Sequence, residues 1–363
     1  MKNICIVVGA RPNFVKAAPL LRALAHSGAA DSRLVYAGSP GDDTLEPSLF
    51  DDLQMAPPDA FLGCTGSSLN EITSQVMSAF DAYLDRERTD TVIVVDDLAS
   101  TMAAAIVAKK RGLELAHLVA GTRSFDMKMP KEVNRLVIDA LSDLLFTAGT
   151  RSNSVATREQ GEGAGTYMVG NILMDSLRFC RPRLRRPALD MPLREGGYMV
   201  LTLNRRALLA DRAKLAALLQ AIDGARGGVP VVAPLRTEAR KTVETLTDTP
   251  LPHITAPLPY LEFGWLTAHA RGVVTDSGNV AEEATFNGVP CITLNSYTEH
   301  QETVTIGSNV LVGEDPQRLG KEISKMISGQ WKKCALPDRW DGRTAERIVQ
   351  ILLERSYMTA KND

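Results

Sequence analysis

Short β-rich runs alternate with longer helical patterns almost from one end of this chain to the other, and that alternation restricts the fold more than any other feature. Ile4–Val8 reads as a strand, and Asn13–Ser27 then places apolar residues at helical spacing. Leu34–Ala37, Val92–Val95 and Leu113–Val119 read as further strands, with helical stretches at Ser100–Arg111 and Glu132–Leu141. A βαβα order predicts a parallel sheet with helices on both faces. The order breaks at Arg181–Gly197, a stretch rich in Pro, Arg and Gly. It restarts with strands at Tyr198–Leu203, Val229–Ala233, Val273–Thr275 and Cys291–Leu294 and a helix at Arg212–Asp223. Two doubly wound α/β domains are therefore expected, joined near residues 172–197. In open sheets of this kind, ligands sit at the carboxyl ends of the strands. Two such domains facing each other would make a cleft.

Composition agrees with this division and removes several function classes. A chain of 363 residues is long enough for two domains, and 44 % hydrophobic with 23 % charged residues is ordinary for a globular protein. The formal net charge is −2, with Lys and Arg spread along the chain. That argues against nucleic acid or a membrane surface as partner. The five cysteines (Cys5, Cys64, Cys180, Cys291, Cys334) are far apart and form no CxxC pair, so neither a disulfide framework nor a metal site is expected, and no cofactor. No apolar run reaches the roughly 18 residues of a membrane span, and the N-terminus lacks a signal-peptide layout. A cytoplasmic location is the expectation.

Three turns at strand ends carry the chemistry. Gly9-Ala10-Arg11-Pro12 follows the first strand and opens a helix containing Lys16. Backbone N–H groups at a helix start attract phosphate, and Arg11 adds a fork of charged donors. Thr275-Asp276-Ser277-Gly278-Asn279 repeats the arrangement in the second half, with Glu282 and Glu283 one turn on. A glutamate there suits a ribose diol, and the same residues also suit an ordinary N-cap with acidic residues near the helix start. Asp96-Asp97 ends another strand, where it reads either as a site carboxylate or as a cap for the next helix. The segment from His117 through Arg123 to Glu132, Asn134 and Arg135 gathers many polar groups beside a strand end, in a site or in a solvated loop.

The order and spacing of these pieces resemble the non-hydrolysing UDP-N-acetylglucosamine 2-epimerases over roughly residues 3–353. GARPNFVKAAPLLRAL is similar to the family opening G-x-R-P-x-x-x-K-x-A-P, and VIVVDDLASTMAAA to V-x-G-D-x-x-S-T-x-A-A. HLVAGTRSFDMKMPKEVNR resembles HVEAGLRSFDRxMPEExNR, and VGNILMDSL, TDSGNVAEEATFNGVPCITL and WDGRTAERIVQIL match further family segments. The resemblance implies a GT-B-like fold of two Rossmann-like domains facing a cleft. Its N-terminal domain spans residues 1–171, with a C-terminal helix at about 345–363 packing back on it. Residues 172–344 form the UDP-binding domain. It implies UDP-N-acetylglucosamine or a related UDP-sugar as ligand, with Arg11, His117, Arg123, Asn134, Arg135, Arg205, Ser277, Gly278, Glu283 and Glu299 in binding. Asp97, Lys16 and Glu132 are the catalytic candidates. A homodimer formed through N-terminal-domain helices is also implied, with the apolar stretch Ser100–Lys109 suited to it.

Family members expel UDP by anti elimination to 2-acetamidoglucal and re-add it after protonation at C2 on the other face. That chemistry needs acid–base groups near C2 and support for the departing diphosphate. In this chain the glutamate of HVEAG is Val119, and the first glutamate of PEExNR is Lys131. The histidine of T-L-H-R is Asn204, a second histidine position is Arg236, and two arginines of the TERP segment are Asn295 and His300. The HTGQHYD segment of a regulatory site reads YAGSPGD here, so that regulation is not expected. The losses predict weak or absent 2-epimerase activity by the family mechanism. They leave open a glycosyltransferase or hydrolase acting on a UDP-sugar, and a non-catalytic UDP-sugar binder.

Overall fold

The apolar run near the N-terminus becomes a central strand because both of its faces are covered. In the computed structural model, which describes residues 2–359 apart from 29, 43, 46, 162 and 247–251, β1 (Lys2–Val8) is buried from Ile4 onward and pairs in parallel on both sides. An uninterrupted apolar run suits that position, since parallel strands bury both faces. The first compact unit comprises Met1–Phe179 and Asp338–Asp363. After β1 it runs α1 (Arg11–Ser27), β2 (Ala30–Tyr36), α2 (Pro47–Leu53), β3 (Ala60–Phe61), α3 (Leu69–Leu84), β4 (Thr91–Val95) and α4 (Ala99–Lys110). It continues with β5 (Glu114–Ala120), α5 (Pro130–Leu141), β6 (Leu144–Thr147), α6 (Thr150–Glu159), β7 (Gly165–Met168) and α7 (Leu173–Cys180). The seven strands lie in the order β3-β2-β1-β4-β5-β6-β7. The order reverses between β1 and β4, so loops from these strands diverge and leave a crevice at their carboxyl ends.

The second unit comprises Cys180–Pro337. It contains β8 (Met199–Thr202), α8 (Arg206–Ala210), α9 (Arg212–Ala225), β9 (Val231–Pro234), α10 (Thr237–Glu244), β10 (His253–Thr255) and α11 (Tyr260–Ala268). Next come β11 (Gly272–Thr275), α12 (Gly278–Asn287), β12 (Cys291–Thr293), α13 (Glu302–Thr305), β13 (Asn309–Leu311) and α14 (Pro316–Ile327). Its six parallel strands follow the order β10-β9-β8-β11-β12-β13, with the reversal between β8 and β11. Apolar clusters cover both faces of this sheet, one around Leu201, Leu219 and Ile323 and the other around Val200, Trp265 and Cys291. Two parallel-sheet α/β units are thus the architecture that the alternating pattern predicts. Among the described residues no helix is long and apolar enough to cross a membrane.

The strands missing from the sequence reading share a physical cause. β3, β7, β10 and β13 are edge strands of two to four residues, and β3, β7 and β10 are only half-buried throughout. They therefore need no apolar run. β6 is central but begins within three residues of the end of α5, so its apolar residues read as a continuation of that helix. The apolar stretch Ser100–Lys109 is spent inside its own unit. Ala103, Ala104, Ala105, Val107 and Ala108 all join the core cluster that also holds Val76, Phe80 and Ile138.

The last helix, α15 (Thr344–Thr359), packs on α1, and both lie in the first unit. Three contacts secure the returning chain. Trp340 is buried and its indole N–H donates to the Ala148 carbonyl at 3.0 Å. Gly170 has φ 102°, and a Cβ there would lie 2.1 Å from the Arg339 carbonyl oxygen, so only glycine permits the approach. Asp175 of α7 accepts the first amides of α15, from Thr344 at 3.1 Å and Ala345 at 2.8 Å. A second repair lies within α1. Pro19 has no N–H, which leaves the Val15 carbonyl without its helical donor. The buried Ser176 hydroxyl supplies one instead, at 2.5 Å.

Two measurements test these supports. Ser176→Ala leaves a buried carbonyl unsatisfied and is expected to lower unfolding stability by about 1–2 kcal/mol in urea titrations. Burial pushes the Asp175 carboxyl up to about 6 from 3.8, against the opposing pull of the Ala345 and Thr344 amides. A carboxyl raised on folding stabilises the fold while protonated, below its ordinary value, and that contribution is lost as pH rises through about 6. Asp175 should therefore remove on the order of 2–3 kcal/mol between pH 4 and pH 7. Stability against pH measured in Asp175→Asn is expected to lack that decline.

Candidate functional site

At the reversal point of the first sheet, the turn after β1 is closed by its own helix. Asn13 Oδ1 accepts the Gly9 amide at 2.9 Å and the Ala10 amide at 3.2 Å. These two amides, which the sequence offers to a phosphate, are therefore occupied by a side chain. Gly9 is required for a second reason, since a Cβ there would lie 1.9 Å from the Ser100 hydroxyl oxygen of α4. Asn13 also donates to Asp96 Oδ2 at 2.7 Å, and the buried Lys16 ammonium donates to Asp96 Oδ1 at 2.6 Å. Arg11 stands half-buried at the first position of α1.

The end of β4 meets the start of α5 through charge. Asp97 Oδ2 accepts from Arg135 Nε at 2.7 Å and pairs with Nη2 at 2.6 Å, while Lys131 lies 3.2 Å from Oδ1. Burial pushes the Asp97 carboxyl up, but Lys131 and Arg135 outweigh it and hold the group below its ordinary value. Asn134 donates to the Asp97 carbonyl at 2.8 Å. Glu132 is buried and fastens the preceding loop: its oxygens accept the Ser124 amide at 2.7 Å, the Ser124 hydroxyl at 2.8 Å and the Phe125 amide at 3.1 Å. Burial raises the Glu132 carboxyl, and these donors together with Arg135 bring it below the usual carboxylate range.

A third cluster lies at the end of β5. His117 is buried with Nδ1 2.5 Å from Asp139 Oδ1 and Nε2 3.1 Å from the Asp96 carbonyl oxygen. Arg123 pairs with Asp139 at 2.7 Å and with Glu159 at 2.8 Å. Burial raises the Asp139 carboxyl, but His117 and Arg123 hold it low. Between these groups the β5–β6 register slips at Val119, whose φ is 76°. A β-branched side chain is strongly disfavoured in that left-handed region.

The second unit gathers its polar groups at the β8–β11 reversal. Asp276 Oδ2 accepts the Asn204 amide at 2.6 Å and the Arg205 amide at 2.7 Å, joining the two strand ends. Its other oxygen is buried with no hydrogen-bond partner among the described residues. Arg205 donates to Asn295 Oδ1 at 2.7 Å and lies 3.3 Å from Glu314. Ser277 is the N-cap residue of α12 but makes no side-chain cap, and its amide donates to Thr275. The α12 start at Gly278 is therefore left without a capping side chain and keeps its partial positive charge. Glu283 is buried one turn into α12, and Glu282 lies 3.7 Å from His300. Glu299 is half-buried three residues before the start of α13 at Glu302.

Thus Arg11, Lys16, Asp97, His117, Arg123, Glu132, Asn134 and Arg135 converge on one edge of the first sheet. Arg205, Ser277, Gly278 and Glu283 belong to the corresponding edge of the second. His117, Arg123, Asn134 and Arg135, taken from the sequence as ligand contacts, spend polar groups on Asp139, Glu159 and the Asp97 main chain and carboxylate. Sequence reasoning missed Asn13, Asp139 and Asp276 as members of these clusters. Asp276 lay within a motif already singled out, but Asp139 has the spacing of an ordinary helix residue and gave no signal.

Comparison with known proteins adds an independent line. The family model described as UDP-N-acetylglucosamine 2-epimerase matches residues 22–353. The UDP-2,3-diacetamido-2,3-dideoxy-D-glucuronate 2-epimerase of Pseudomonas aeruginosa is 33 % identical, over 86 % of this chain and 88 % of that protein. The structure of Methanocaldococcus jannaschii UDP-GlcNAc 2-epimerase in complex with UDP-GlcNAc and UDP superimposes with TM-score 0.82 at 28 % identity, covering 97 % of this chain and 99 % of that one. The Neisseria meningitidis UDP-GlcNAc 2-epimerase bound to UDP-GlcNAc shares the fold with TM-score 0.86 at 24 % identity, covering 98 % and 100 %.

The strained backbone at Val119 is open to measurement. Val119→Gly removes the steric conflict at positive φ and is expected to raise unfolding stability by about 1 kcal/mol. A urea titration showing lower stability would mean that valine packing outweighs the strain.

Proposed function

The chain belongs to the UDP-N-acetylglucosamine 2-epimerase family, and from that premise we propose that it binds a UDP-2-acetamido sugar and interconverts its epimers at C2. The relatives' names share that sugar chemistry, whether the hexose is neutral or a uronate. The observation that carries the reading is the uncapped start of α12, placed directly after β11 and followed by the buried Glu283. Unpaired amides at a helix start favour a diphosphate. A carboxylate one turn further in suits the two hydroxyls of a ribose. In the first unit, Asp97 keeps a carboxylate of the family pattern at the end of β4, with Glu132 of α5 linked to it through Arg135 and Lys16 bonded to the adjacent Asp96.

One observation favours a second reading, that of a non-catalytic binder. Asp97 is held by two cations, and a carboxylate so paired is a weak base. Lys131 supplies one of those cations at a position where the family pattern has a glutamate.

Both readings require nucleotide binding, and they part on chemistry. Calorimetry is expected to detect UDP, with Glu283→Ala weakening it by roughly 1.5–3 kcal/mol through loss of charged hydrogen bonds. No heat of binding at millimolar UDP would exclude both. Incubation with UDP-GlcNAc in D₂O then separates them. Deuterium at C2 and formation of UDP-ManNAc are the expected result for the epimerase, whereas binding without exchange identifies the binder.

A further inference from the structure

Three of the four carboxylates at the working edge of the first sheet are fixed anions. Asp97 is gripped by Arg135 and Lys131, Glu132 by Ser124, Phe125 and Arg135, and Asp139 by His117, Arg123 and the Gly121 amide. Asp96 is held differently. Among the described residues its carboxylate meets the Asn13 amide at 2.7 Å and the Lys16 ammonium at 2.6 Å, with no guanidinium. A guanidinium does not release its proton in a protein, whereas a lysine ammonium does so when its surroundings demand it. The Asp96 side chain keeps 15 % of its surface exposed, against 6 % for Lys16.

The backbone sets where this carboxylate stands. Val95 pairs with Leu118, so the next residues, Asp96 and Val119, end adjacent parallel strands at the same level. Asp96 has φ 60°, a conformation that aspartate tolerates better than most residues. In the family patterns V-x-G-D and HVEAG these two positions hold glycine and glutamate. Here they hold aspartate and valine, so the carboxylate has moved one strand over within the same row.

We propose that Asp96 carries the C2 proton in place of the glutamate missing at position 119, with Lys16 as the partner that shares its charge. This rests on the 2-epimerase reading above. In the elimination step an Asp96 oxygen takes the proton from C2, and the C2–H electron pair forms the C1–C2 double bond. The C1–O bond to the diphosphate breaks, and UDP leaves with that electron pair. In the reverse step the C1–O bond re-forms as the C1–C2 π pair takes a proton from water on the opposite face of C2, and the proton held by Asp96 passes to solvent. Asn13 holds the second Asp96 oxygen, which fixes the direction of the first.

The test is C2 deuterium incorporation from D₂O into UDP-GlcNAc, and into UDP-2,3-diacetamidoglucuronate, by the wild-type chain and by Asp96→Asn, Asp96→Gly and Asp96→Gly/Val119→Glu. Asparagine and glycine both accept positive φ, and unchanged UDP affinity verifies that each variant is folded. Exchange is expected to fall by about 10²-fold or more in both single variants. The double variant, which restores the family residues at positions 96 and 119, is expected to recover at least part of that loss. Wild-type exchange rates in Asp96→Asn would overturn the assignment and leave the epimerase reading standing. A wild-type chain that binds both nucleotide sugars and exchanges neither would overturn the two together.

Discussion

Arg135 is almost completely buried, and a guanidinium in that position has to be neutralised where it sits. Asp97 supplies two contacts and Glu132 a third, and the join between β4 and α5 is arranged around this demand. Through Asp97 the pair ties the end of β4 to α5. Through Glu132 it fixes the Ser124–Phe125 loop that leads into α5. Removing one partner of such a buried pair costs about 3–5 kcal/mol, because the other is left charged and dry. The residues are thus bound to one another before any ligand is considered. The same demand helps to hold the Asp97 and Glu132 carboxyls below their ordinary range despite their burial.

The layout of the two sheets was legible because central parallel strands must be apolar on both faces, as Ile4–Val8 and Val92–Val95 are. The reversal points follow from strand order, and polar side chains gather just beyond β1, β4, β8 and β11. Partnerships were less legible. Nothing in the spacing says that Asn13 turns back onto Gly9 and Ala10 and so closes a turn that looks open. Nor does it say that Asp139, eighteen residues beyond Gly121, reaches His117, Arg123 and the Gly121 amide together. Such pairings depend on which rotamers the packed sheet and helices allow, and a linear pattern does not encode them.

Positive backbone angles at non-glycine residues concentrate at this same edge. Asp96, Val119 and Phe125 have φ of 60°, 76° and 59°. Each stands where a strand or its loop turns away from the sheet. Local strain of this kind persists only where surrounding contacts over-determine the backbone, and here those contacts are the Asp96–Lys16, Glu132–Phe125 and Asp139–Gly121 bonds. Valine is the least tolerant of the three residues. Its presence indicates that the turn geometry at 119 is imposed by its neighbours and survives a side chain that opposes it.

The return of the chain to its first unit has a consequence for synthesis. Chains emerge from the ribosome N-terminus first, and N-terminal domains generally fold before later ones. Here the first unit needs Asp338–Asp363, which is made only after the whole second unit. Until then α1 lacks the helix that packs on it, the Ala148 carbonyl lacks the Trp340 indole, and the Asp175 carboxyl has no amide donors from α15. The second unit is continuous in sequence and suffers no such delay. The half made later is thus complete in sequence first, while the half made earlier lacks its last helix until Asp338–Asp363 has been made.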